Sequence, residues 1–143
     1  MMTVQQVLDR KGRDIWSIAP DDSVFDAINL MAEKGIGATL VVEGDQLVGI
    51  LSERDYARKV ILRGKSSRTT KAREIMTEKV LYVSPHRYVE ECMALMTDKR
   101  IRHLPVMDNG KLVGMLSIGD IVKTILADQK FIIEQLENYI KGY

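Results

Sequence analysis

LVGILSERD at residues 47–55 returns as LVGMLSIGD at residues 112–120, 65 positions later. Extended without a gap, the match runs from Ile18–Asp55 to Val83–Asp120. Pro20 pairs with Pro85, Val24 with Val89, Leu30-Met31 with Leu95-Met96, Lys34 with Lys99 and Ile36 with Ile101. An echo at fixed spacing identifies a repeated structural unit, and two such units have to bury apolar faces that neither covers alone. The duplication therefore predicts one module of two pseudo-symmetric halves.

Each half carries the same order of local signals. In the first, residues 24–34 place Val24, Ala27, Ile28 and Met31 on one helical stripe, with Asp21, Asp22 and Ser23 as N-cap candidates and Gly35 as the stop. IGATLVV at 36–42 is β-branched and apolar, as a buried strand is. Glu43-Gly44-Asp45 turns the chain into a second strand, 47–51, and Ser52 opens a helix to about Leu62. In the second half, helix 88–99, strand 101–107, the turn Asp108-Asn109-Gly110 and strand 111–116 follow in turn. Ser117 then caps a helix reaching about Lys141, longer than its counterpart and apolar along one face. These patterns predict an α/β (α+β) fold. Its expected divisions are a first unit at 1–62, a flexible polar linker at 63–73 (RGKSSRTTKAR) and a second unit at 74–143. A short helix over 3–12 falls in the first unit.

Composition narrows the function classes. A formal charge of +1 supplies no broad field for duplex nucleic acid. The one basic stretch, Arg63–Arg73, lacks aromatic side chains to stack on bases and reads as a solvated linker. No run approaches the roughly 20 apolar residues of a membrane span. The opening residues MMTVQQVLDRKGRD contain no apolar stretch of signal-peptide length, so a soluble cytoplasmic protein is expected. The one cysteine, Cys92, lies in a predicted helix beside Met93 and Leu95 and is expected in the core. His86 and His103 have no metal-ligand spacing, and no G-x-S-x-G or Walker-type loop occurs. No catalysis is expected.

REIMT at 73–77, GILSERD at 49–55 and IRHLPVMDNGKLVGMLSIGD at 101–120 closely resemble the tandem CBS domain pair, named after cystathionine β-synthase. The resemblance covers about residues 3–125 and looks like a stand-alone pair without an attached enzyme or channel. It implies a β-α-β-β-α unit, two units packed through their sheets, and two clefts that take adenosyl ligands: AMP, ADP, ATP, NAD or S-adenosylmethionine. It also implies a homodimer, with the apolar C-terminal helix as a candidate contact, and a downstream partner protein that reads ligand occupancy.

The repeated G-h-x-S-x-x-D (h apolar) suits such a ligand chemically. An ionised carboxylate accepts both hydroxyls of a ribose, and charge-assisted bonds of this kind are roughly twice as strong as neutral ones. Asp55 and Asp120 each follow a serine by three residues, one helical turn, so Ser52 with Asp55 and Ser117 with Asp120 share a face at a helix N-terminus. S-x-x-D is equally a capping pattern, and Gly49 and Gly114 are equally places where packing is close. The resemblance further implies that each cleft draws on both repeats. Met115, Ser117 and Asp120 would face Ser17, Ile18, Ile36, Gly37 and Ala38. Ile50, Ser52 and Asp55 would face Tyr82, Val83, Ile101, Arg102 and His103. Gly37 and Ala38 leave room for an adenine, which favours the Asp120 cleft. Arg102 and His103 are the expected phosphate partners, with Arg54, Arg58 and Lys59 available to longer phosphate chains. The competing expectation is a constitutive scaffold whose clefts bind nothing.

Overall fold

The computed structural model describes residues 1–142; Tyr143, the last residue of the expected second unit, lies outside the described residues. The elements are α1 (Val4–Lys11), β1 (Ser17–Ile18), α2 (Val24–Lys34), β2 (Ala38–Glu43), β3 (Gln46–Ser52), α3 (Glu53–Tyr56) with a π-turn over Ala57–Ile61, α4 (Ala72–Ile75), α5 (Val89–Lys99), β4 (His103–Asp108), β5 (Lys111–Ser117) and α6 (Ile118–Ile140). They form two compact units. One is Asp14–Leu81; the other joins Met1–Arg13 to Tyr82–Tyr143. No helix among the described residues is long and apolar enough to cross a membrane.

In the unit Asp14–Leu81, β1 lies parallel to β2 and β2 antiparallel to β3. The first four residues of β2 are all buried, as a strand covered on both faces must be. Gly44, at φ +60°, supplies the left-handed residue of the tight turn into β3. Ser23 caps α2 by accepting the Asp26 N–H, and Gly35 ends it in the left-handed conformation. Val24, Ala27 and Met31 then pack with Ile18, Val41, Leu51, Val60, Ala72 and Ile75.

The unit containing Tyr82–Tyr143 repeats this plan. Strands β4 and β5 pair antiparallel with a register irregularity between Val106 and Met107, the counterpart of the one between Val41 and Val42. Val83 makes an isolated parallel bridge to Val106 where the other unit has β1. Cys92 is fully buried, and burial pushes its thiol up to about 11, which leaves it unreactive.

Two expectations need correction. Helix α1, expected in the first unit, packs with the second repeat. Val4, Val7 and Leu8 join Val83, Val89, Cys92, Met96, Leu104, Val106, Leu116 and Ile121 in the core of the other unit. Backbone bonds fix it there: Val4 and Gln5 donate to the carbonyls of Arg87 and Pro85, and Val89 donates to Met2. The stretch 63–73 is not a free linker either. Thr70 is buried, and the carbonyls of Thr70 and Ser67 accept from Val24 and Phe25, two of the N–H groups that the start of α2 leaves without helical partners. The Arg68 guanidinium lies 4.1 Å over the Phe25 ring.

These corrections expose a repeat that the 65-residue register hides. Thr3–Leu8 and Lys71–Met76 are equivalent segments. Each is held by an antiparallel bridge, Thr3 to Tyr88 and Lys71 to Ser23. In each, an acceptor three residues on, Gln6 or Glu74, takes the first backbone N–H. Each also seats a side chain against the motif glycine. A Cβ on Gly114 would lie 2.8 Å from both Leu8 methyls, and one on Gly49 would lie 2.5 Å from the Met76 sulfur. Close packing therefore accounts for both glycines.

Candidate functional site

The end of β5 and the start of α6 build the better-developed candidate site. Ser117 has extended backbone (φ −106°, ψ 162°), so the strand runs directly into the helix. Its hydroxyl accepts the Asp120 N–H at 3.1 Å, and its own N–H donates to Asp120 Oδ2 at 2.8 Å. The capping expectation is thus met, and it holds the carboxylate in one orientation. Lys11, the last residue of α1, donates from Nζ to the same Oδ2 at 2.8 Å and to the Met115 carbonyl at 2.7 Å. Both the Lys11 ammonium and the Ser117 N–H donate to Oδ2. The Asp120 side chain keeps 21% of its surface exposed.

Burial works to raise the Asp120 pKa, but the Lys11 ammonium and the Ser117 N–H outweigh it and hold the group below the ordinary carboxylate value. Asp120 is therefore an anion at neutral pH. His103 stands opposite Ser117 in the β4–β5 ladder. Burial pushes its imidazole below the usual 6.5; Asp120 pulls it up, while Arg102 and Lys11 push it further down. At neutral pH His103 is uncharged, so it can offer a phosphate one N–H donor and no full charge.

The equivalent site at β3 and α3 is more closed. Asp55 Oδ2 accepts from the Ser52 N–H at 3.0 Å and its hydroxyl at 3.1 Å. Lys59, four residues on, sits 3.1 Å from Oδ1 and also donates to the Ile75 carbonyl at 2.9 Å. Both carboxylate oxygens are engaged, and the side chain is only 12% exposed. Arg54 and Arg58 lie at the surface of α3 and the π-turn.

The remaining predicted positions divide between the units. Asp14–Leu81 brings together Ser17, Ile18, Ile36, Gly37, Ala38 and Ile50 around the end of its sheet that carries Ser52. There the Gly37 carbonyl accepts the N–H of Glu53, the first residue of α3. In the other unit, Arg102 takes the place of Gly37, its carbonyl accepting from Ile118, the first residue of α6. That unit also holds Tyr82, Val83, Ile101, His103 and Met115. Ile18, Ala38 and Val83 are buried, whereas Ser17, Tyr82 and Arg102 are exposed. No group of three or more His, Cys, Asp or Glu among the described residues is arranged to hold a metal.

Sequence reasoning missed Lys11. A faint signal existed. In the 65-residue register Thr124 stands where the first repeat has Lys59, so the second carboxylate lacks the cation four residues on that the first one has. Thr124 instead donates its hydroxyl to the Asp120 carbonyl at 2.8 Å. Nothing local to the motif says that the missing cation arrives from α1.

Comparison with known proteins points one way. The model for the CBS domain matches residues 4–62 and 72–127. The Arabidopsis thaliana protein "CBS domain-containing protein CBSX3, mitochondrial" is 41% identical over 150 residues, spanning 98% of this chain and 72% of that protein. The structure of a protein with CBS domains from Burkholderia ambifaria MC40-6 superposes with a TM-score of 0.87 at 59% identity, covering 90% of this chain and 96% of that one. A CBS domain pair solved with 5′-methylthioadenosine and S-adenosyl-L-methionine shares the fold, with a TM-score of 0.79 at 22% identity over 90% of this chain and 98% of its own.

Proposed function

The chain belongs to the CBS-domain proteins, and from that premise we propose that it is a non-catalytic regulatory module that binds an adenosyl ligand and signals occupancy to a partner protein. The observation that carries the reading is Asp120. It is an ionised, partly exposed carboxylate, oriented by its own cap, at the N-terminus of a long helix. Two hydroxyls on adjacent ribose carbons match such an acceptor. The helix N-terminus and the exposed Arg102 favour a phosphate nearby. The neighbour that holds two adenosyl compounds supports the ligand class; AMP, ADP, ATP, NAD and S-adenosylmethionine all fall within it.

Signalling then works by population shift. A ligand moves a conformational equilibrium only by its differential affinity for the two states. A homodimer forms part of the proposal. Phe131, Ile132, Ile133, Leu136, Tyr139 and Ile140 on the outer half of α6 are all exposed, as an unpaired contact face would be.

At Asp55 a structural reading is the stronger one, because its oxygens are already satisfied by Ser52 and Lys59. The module is therefore proposed to respond chiefly through Asp120.

Thermal unfolding with AMP, ATP, NAD and S-adenosylmethionine tests the proposal. At 100 times its dissociation constant, a ligand of one site adds about 2.7 kcal/mol of stability. A sensor is stabilised by at least one of the four. A constitutive scaffold is stabilised by none.

A further inference from the structure

We propose that Lys11 is a built-in competitor at the Asp120 site, a tethered cation that an adenosyl ligand has to displace before its ribose can engage the carboxylate. The inference rests on the ligand-binding reading above and adds a residue that lies outside the repeated motif.

Geometry is the first support. Lys11 Nζ holds two acceptors at once, Asp120 Oδ2 and the Met115 carbonyl, at 2.8 and 2.7 Å. Oδ2 already accepts from the Ser117 N–H at 2.8 Å. A diol gripped by both carboxylate oxygens needs the share of Oδ2 that Lys11 occupies. The ammonium thus stands in for a ligand hydroxyl.

The second support is that Lys11 can leave. Its side chain is 33% exposed, on a flexible four-carbon stem, and its departure returns the ammonium to water. Partly exposed ion pairs are weak enough to be exchanged in this way. The first repeat provides a contrast. Lys59 lies four residues from Asp55 on the same helical segment, bonds Oδ1, and leaves that carboxylate without an open oxygen. Lys11 instead bonds Oδ2, the oxygen that the cap already uses.

The third support is the position of Lys11 in the chain. It is the last residue of α1, next to Gly12 at φ +99°. Breaking its bonds to Asp120 and Met115 releases the C-terminal end of α1, while Val4, Val7 and Leu8 stay anchored in the core. Occupancy of the carboxylate is thereby converted into freedom of a segment that a partner protein can sense.

Titration calorimetry of AMP into the wild type, Lys11→Met and Lys11→Gln tests this. Far-UV circular dichroism confirms that each variant is folded. Removing the competitor is expected to tighten AMP binding roughly three- to tenfold in both variants. Unchanged affinity overturns the proposal. Weaker binding overturns it too and makes Lys11 a ligand contact. If wild type and variants all fail to bind AMP, ATP, NAD and S-adenosylmethionine, the ligand-binding reading falls and the competitor falls with it. Binding by wild type with no gain in the variants sinks the competitor alone.

Discussion

Asp120→Ala is expected to weaken adenosyl-ligand binding at least about 100-fold and to abolish ligand-induced thermal stabilisation. Two hydrogen bonds from a diol to a charged acceptor contribute about 1.5–3 kcal/mol each, and about 2.8 kcal/mol already corresponds to 100-fold in affinity. The substitution also removes the acceptor for the Ser117 N–H and the partner of Lys11. Losing a capping interaction costs about 1 kcal/mol, which leaves the fold in place because Leu104, Leu116 and Ile121 around it are fully buried. Calorimetry and thermal unfolding of the same preparation separate the two effects. A lower melting temperature with no ligand response is the expected pattern. Near-normal affinity would mean that the ribose, if bound at all, is held elsewhere.

Leu8→Ala is expected to destabilise the unit containing Tyr82–Tyr143 by about 2–5 kcal/mol, the usual range for truncating a buried leucine. Leu8 is 1% exposed and its methyls fill the space over Gly114. Gly114→Ala is expected to be destabilising on its own, because its methyl would lie 2.8 Å from both Leu8 methyls. Combining the two is the sharper test. Truncating Leu8 makes room for the new methyl, so the double substitution should cost clearly less than the sum of the singles. Urea unfolding of the four proteins measures this. Additive costs would contradict the direct contact between α1 and β5.

These two positions also show what the sequence could and could not disclose. The duplication of LVGILSERD as LVGMLSIGD placed Asp55 and Asp120 on matching helix starts, and the residue types alone gave α2 its observed limits, Val24–Lys34. A gapless register and a strong helical period are local, so they survive without knowledge of contacts. The placement of α1 is not local. TVQQVL and KAREIM share no residue in register, and their equivalence rests on where Leu8 and Met76 land, over Gly114 and Gly49. The stretch 63–73 misled for a related reason. Its small polar residues resemble a flexible linker by composition, yet Ser67 and Thr70 act through backbone carbonyls, which composition does not record. Lys11 lies 109 residues from Asp120. An ion pair at that separation has no signature in spacing, although the Lys59-to-Thr124 replacement marks where a cation is missing.

The carboxylate–diol contact is the claim on which the functional account turns. Its most direct test is calorimetry of the wild-type protein with AMP and with 2′,3′-dideoxy-AMP, which retains the base and phosphate but lacks both hydroxyls. The account predicts that the dideoxy compound binds at least about 100-fold more weakly, and that Asp120→Ala removes the difference between the two. Equal affinity of the wild type for both compounds would contradict it.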